Sequence, residues 1–194
     1  MTLLPSFSRW VSSRAPASRE ILGVFGVVSF AVFSWAVRGF LFKIPAFTLY
    51  FGLSSDLAIL CYMFAFALIE SLLITGLLIA LATLLPARIL RDGFAYKGFL
   101  VVLVTTLTMI LFELNYKIED FKDILTGNYA SIPPFVIGLV VSILALVGLL
   151  RLSQSSRRLQ GIASFLTEQV SLFAYIYVPL GLIGLAVVLV RNFL

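Results

Sequence analysis

Five long, mostly apolar runs decide what this chain can become. They cover residues 21–42, 57–85, 94–114, 134–150 and 171–190, with edges set to within a few residues. A helix that crosses a lipid bilayer needs about 20 mostly apolar residues. Leu, Val, Ile, Phe and Ala fill all five runs, and none alternates with the period of two that a barrel strand requires. Lipid offers no water to exposed backbone groups, so each run must satisfy its own hydrogen bonds as a helix. The expected fold is all-α: a polytopic bundle of five transmembrane helices, residues 21–194, behind a polar tail of residues 1–20. At about 1.5 Å per residue the second run exceeds a hydrocarbon core of roughly 30 Å, so it must tilt or project.

Composition closes the alternative. Of 194 residues, 61% are hydrophobic and 12% charged, whereas a soluble domain has about 45–50% and about 25%. There are too few polar side chains to cover a soluble core. The chain is therefore expected to be integral to a membrane, the plasma (inner) membrane being the simplest host.

Charge sets the expected orientation. Arg9, Arg14, Arg19, Arg88, Arg91, Lys97, Arg151, Arg157 and Arg158 fall on one side, with Glu20, Asp92 and Glu168. Arg38, Lys43, Lys117, Lys122 and Arg191 fall on the other, matched by Asp56, Glu113, Glu119, Asp120 and Asp123. The formal net charge of +5 thus gathers at one face. That bias places the N-terminus in the cytoplasm and the C-terminus outside. The tail is rich in Ser and Arg, but Pro5 and Pro16 interrupt the amphipathic helix of a transit peptide. It reads as a retained cytoplasmic segment.

Two shorter segments show amphipathic spacing. Ile118, Phe121, Ile124 and Leu125 recur opposite Glu119, Asp120, Lys122 and Asp123, ahead of Gly127. This predicts a short surface helix on the outer side. Leu159, Ile162, Phe165, Leu166 and Val170 recur after the basic pair Arg157-Arg158. This predicts an interfacial lead-in to the last span, with Arg157 and Arg158 meeting anionic lipid head groups. Phe42, Phe47, Tyr50 and Phe51 suggest an aromatic belt beyond the first span.

One residue stands apart. Glu70 lies midway along the second run, between Phe66-Ala67-Leu68-Ile69 and Leu72-Leu73-Ile74. A bare charge at that depth is costly, so its carboxyl is expected to be neutral or paired. Its own helix offers it only apolar neighbours at helical spacing. Partners must come from other spans, and Thr105, Thr106 and Tyr177 are the candidates for an intramembrane polar site with it. A hydrogen bond to one of these hydroxyls would hold two helices together. The functional reading of the same acid is a proton, cation or substrate site in a small transporter. Arg38 and Glu113, near outer helix ends, either pair or reach the interface separately. Pro179 kinks the last span, with Gly181 and Gly184 following as small surfaces for close helix contact.

Catalysis is not expected. The chain has no histidine and one cysteine, Cys61. That removes Ser-His-Asp chemistry, imidazole bases, His-ligated metals and thiol pairs. There is no phosphate-cradling GxxxxGK[ST] loop. No cofactor or metal is expected, and nucleic acid is not an expected partner. The expected partners are the lipid bilayer, other membrane subunits, or further copies of this chain.

Overall fold

A computed structural model describes residues 14–51, 53–87, 89–115 and 132–193. All regular structure among them is helical. We number the helices α1 (Ser18–Phe51), α2 (Leu53–Leu84), α3 (Phe94–Asn115), α4 (Ile132–Ser155), α5 (Arg157–Ser171) and α6 (Ala174–Phe193). Five of them, all but α5, are long and apolar enough to cross a membrane. The surface helix expected around Ile118–Leu125 and tail residues 1–13 lie outside the described residues.

The helices run longer than the apolar runs suggest. Helix α1 has 34 residues and α2 has 32, so each reaches about 50 Å against a hydrocarbon core of about 30 Å. Helix α1 continues through Pro45 and the aromatic segment to Phe51, so those aromatics belong to the helix rather than to a loop beyond it. In α4, Pro133 and Pro134 fall in the first turn, where a missing N–H costs no helical bond.

Packing alternates direction along the chain. Gly98 of α3 meets Val24 of α1, and Gly26 of α1 meets Ser171 of α5. With Leu78 and Ala82 of α2 in the core beside Val24, and Gln160 of α5 bonded to Ser153 of α4, these contacts gather the starts of α1, α3 and α6, the ends of α2 and α4, and all of α5 at one end of the bundle. The Arg38–Glu113 pair joins α1 and α3 at the opposite end. Helix α1 is central, touching α2, α3, α5 and α6. Helix α6 packs along α2, while α4 sits at the rim against α3 and α5.

The main core lies at the N-terminal end of the bundle. Val24, Val27 and Val28 of α1 meet Leu78 and Ala82 of α2, Phe94, Phe99 and Val102 of α3, and Ala163 of α5. A second cluster joins Phe33 of α1 to Ala67 and Leu68 of α2. On α6, a Cβ built on Gly184 would stand 2.5 Å from the Cys61 carbonyl oxygen. That glycine is what lets α2 and α6 approach backbone to backbone.

The α2–α3 connection needs one special residue. Gly93 has φ of +74°, a conformation that L side chains rarely adopt. A Cβ there would also collide with the Tyr96 ring.

Helix α5 is separate from the last span rather than its continuation. Ser156 caps it: with φ −113° and ψ 107°, its Oγ accepts from the Leu159 N–H at 3.5 Å. The helix then breaks at Leu172-Phe173 before α6 begins at Ala174. Gln160 donates to the Ser153 carbonyl at 2.7 Å, tying α5 back to α4. So α5 runs as a crosspiece from α4, past α3 and α1, to the start of α6.

Candidate functional site

The carboxyl expected inside the membrane faces outward. Glu70 is exposed on α2 and lines a shallow groove of about 360 Å³. Ala36 of α1 and Ile59, Tyr62, Met63, Phe66 and Ala67 of α2 complete its walls. The reason is positional. The side of α2 that packs inward carries Ala65, Ala67, Leu68, Ser71, Thr75, Leu78 and Ala82, all buried. Glu70 stands one residue off that stripe, on the flank that turns away. Ser71 and Thr75 donate to the carbonyls of Ala67 and Ser71, each at 2.7 Å. Their protons are spent on their own helix, and no hydrogen bond joins Glu70 to any described residue.

The other candidates are not gathered around Glu70. Thr106 lines a different groove, of about 440 Å³, between α1 and α3. Ala31, Ser34, Trp35 and Arg38 form its α1 wall, whereas Ala36 faces the Glu70 groove. Thr105 is exposed elsewhere on α3. Thr108, which shares its face, donates to the Val104 carbonyl at 2.8 Å. Tyr177 belongs to an aromatic stack: its ring lies 5.0 Å from Phe33 and 6.2 Å from Phe173. The four residues therefore occupy separate surroundings rather than a single polar site.

Arg38 and Glu113 do pair. Nη1 of Arg38 donates to Oε2 of Glu113 at 2.8 Å. The guanidinium also lies 4.8 Å from the Trp35 ring centre and 5.3 Å from that of Phe42, within cation–π range. Both side chains are about half exposed, 43% and 47%. Arg38 also lines the Thr106 groove.

Lys97 is the residue that charge counting misplaces. Grouped with the loop cations by sequence, it is 1% exposed in the first turn of α3. The signal was present: Phe94, Lys97 and Gly98 follow helical spacing on one face, and all three are buried. Its ammonium lies 5.8 Å from the Tyr96 ring centre.

Arg157 and Arg158 are both exposed in the first turn of α5. A third and larger groove, of about 960 Å³, lies beside the later turns of that helix, between α1, α5 and α6. Arg19 and Glu168 meet across it at 3.4 Å. Among the described residues, no three His, Cys, Asp or Glu side chains come together to hold a metal ion. Comparison with protein-family models, curated proteins and solved structures finds no match to the chain.

Proposed function

We propose that this chain is a non-catalytic integral membrane component, an accessory, assembly or scaffolding subunit that binds other membrane helices side by side. The observation that carries the reading is the outward carboxyl of Glu70. A carboxyl on the outer face of an apolar span is costly in lipid and gains from a neighbouring donor. Ala36 and Ala67 are small, so a partner helix can lie close along the groove. A hydroxyl, amide or basic side chain on that helix would meet the carboxyl. The runner-up, a small transporter or substrate-capturing subunit, calls for Glu70 in a polar cavity between helices. A groove that opens sideways favours the partner helix. The proposed host is the plasma membrane, with the N-terminal end of the bundle in the cytoplasm.

A photo-crosslinking side chain at Phe66, beside Glu70, tests this in the native membrane. We expect one adduct of discrete mass, either a second copy or one other membrane protein. Glu70→Leu should weaken that association several-fold, since an interhelical hydrogen bond is worth about 1 kcal/mol. Glu70→Gln, which still hydrogen-bonds, should retain most of it. Only lipid adducts, with a monomer in gentle detergent, would remove the subunit reading. Unchanged assembly with lost solute flux in Glu70→Gln would favour the transporter.

A further inference from the structure

The groove beside α5 differs in character from the other two. Its mouth, at the N-terminal end of the bundle, is polar: Arg19 and Glu20 from the first turn of α1, Ser164 and Glu168 from α5. Its deeper wall is apolar: Leu22 and Phe25 from α1, Val178 and Pro179 from α6, with Tyr175 between the two zones. At about 960 Å³ it stands at the top of the range of roughly 300–1,000 Å³ usual for ligand pockets. A polar mouth that grades into an apolar trough fits an amphiphile. It lies at the end of a membrane bundle, where phospholipid head groups and acyl chains meet.

Charge and hydrogen bonding then select the head group. One cation and two carboxylates line the mouth, so an anionic head group meets a net negative charge. Ser171 also borders the groove, and its hydroxyl donates to the carbonyl of Glu168 at 2.8 Å. With that proton spent, what the Ser171 hydroxyl still offers is acceptor lone pairs. The mouth is rich in acceptors and holds one strong donor, Arg19. Its side chain is 92% exposed, and its contact with Glu168 is long for an ion pair. A solvent-exposed pair of this kind contributes little and yields readily to a better partner.

We propose that this groove binds a phospholipid carrying a primary ammonium, an ethanolamine-type head group. Its phosphate meets Arg19, its ammonium meets Glu20 and Glu168, and one acyl chain lies against Leu22, Phe25 and Val178. The site is independent of Glu70 and of any lateral partner.

Native mass spectrometry of the purified chain tests it, with phosphatidylethanolamine, phosphatidylcholine and phosphatidylglycerol of identical acyl chains supplied at equal concentration. The ethanolamine lipid should be retained severalfold over the glycerol lipid, because its ammonium gains two partly exposed carboxylate contacts that the glycerol head group lacks. It should also exceed the choline lipid, whose trimethylammonium has no N–H to donate. Glu20→Gln combined with Glu168→Gln leaves Arg19 in place and should bring the ethanolamine and glycerol lipids to within about twofold, as expected once two carboxylate contacts are neutralised. That ratio is read on one folded population, so a lower yield of the variant cannot imitate it. Ser164→Trp, which fills the mouth, should cut retention of the ethanolamine lipid severalfold. Equal retention of all three lipids by the unaltered chain would overturn the proposal. So would a preference that survives the double substitution, or retention that Ser164→Trp leaves unchanged.

Discussion

Gly184 shows how much one missing side chain sets in this bundle. Its Cβ position is 2.5 Å from the Cys61 carbonyl oxygen and 3.1 Å from the Ala65 amide nitrogen. Both are backbone atoms, so a larger residue cannot be accommodated by turning a rotamer. We expect Gly184→Leu to force α6 away from α2 and to destabilise the protein by about 1–3 kcal/mol, the usual cost of overpacking. A lowered thermal unfolding midpoint in detergent would show it, with Gly148→Leu as the control. Gly148 has nothing within 4 Å of its Cβ position, so its midpoint should hold. Equal effects at the two glycines would mean that close α2–α6 contact is not what Gly184 provides. That Gly181 and Gly184 form a packing surface was legible in their spacing. That Glu70 faces away from the bundle was not. Helix α2 is apolar on every side, and a helix without a polar face carries no record of which side turns inward. Lys97 misleads for a different reason: counted by charge it reads as a loop cation, although it shares a helix face with Phe94 and Gly98, and all three are buried.

At the scale of the element, α5 inverts the rule learned from soluble proteins. Its apolar stripe was plain from spacing, yet Leu159, Ile162, Phe165 and Leu166 are exposed while Ala163 and Thr167 are buried. In the membrane setting proposed for this chain, lipid accepts apolar side chains as readily as a protein interior does, so no hydrophobic force drives the stripe inward. What packs instead is the small flank, where Ala163, Thr167 and Ser171 let α5 lie close to α1. Periodicity therefore foretold the helix and could not foretell its packed face. The cap at Ser156 was equally silent, since serines occur all along this segment. We expect Ser156→Ala to cost about 1 kcal/mol, the typical loss of an N-cap acceptor. Hydrogen exchange should quicken first at the Leu159 and Gln160 amides, in the first turn of α5. Exchange that quickens equally throughout α6 would mean that the two helices unfold as one.

At the scale of the molecule, the arrangement of charge follows the arrangement of helices. The end of the bundle that holds the start of α1 carries Arg14, Arg19, Arg91, Arg151, Arg157 and Arg158, against Glu20, Asp92 and Glu168. The opposite end carries Arg38, Lys43 and Arg191 against Asp56 and Glu113. Burial of Lys97 removes one cation from the surface of the first end, and the asymmetry survives without it. The five long apolar helices alternate in direction, so the connections at one end share the same bias, and in the proposed membrane setting reversing the protein would carry all those arginines across together. Translocating them is opposed at each loop. This predicts a single orientation, which cysteine labelling can read. In a Cys61→Ala background, Phe193→Cys places a thiol at a position 81% exposed at the end of α6. Ser155→Cys places one at the exposed end of α4, on the other side. A membrane-impermeant maleimide added to intact cells should label the first and reach the second only after the membrane is opened. Labelling of Ser155→Cys alone would reverse the proposed orientation. It would also move the groove beside α5 to the outer leaflet, while leaving the chemistry of its mouth unchanged. Equal labelling of both in intact cells would mean that two orientations coexist, and the arginines at the N-terminal end would then not be what fixes the topology.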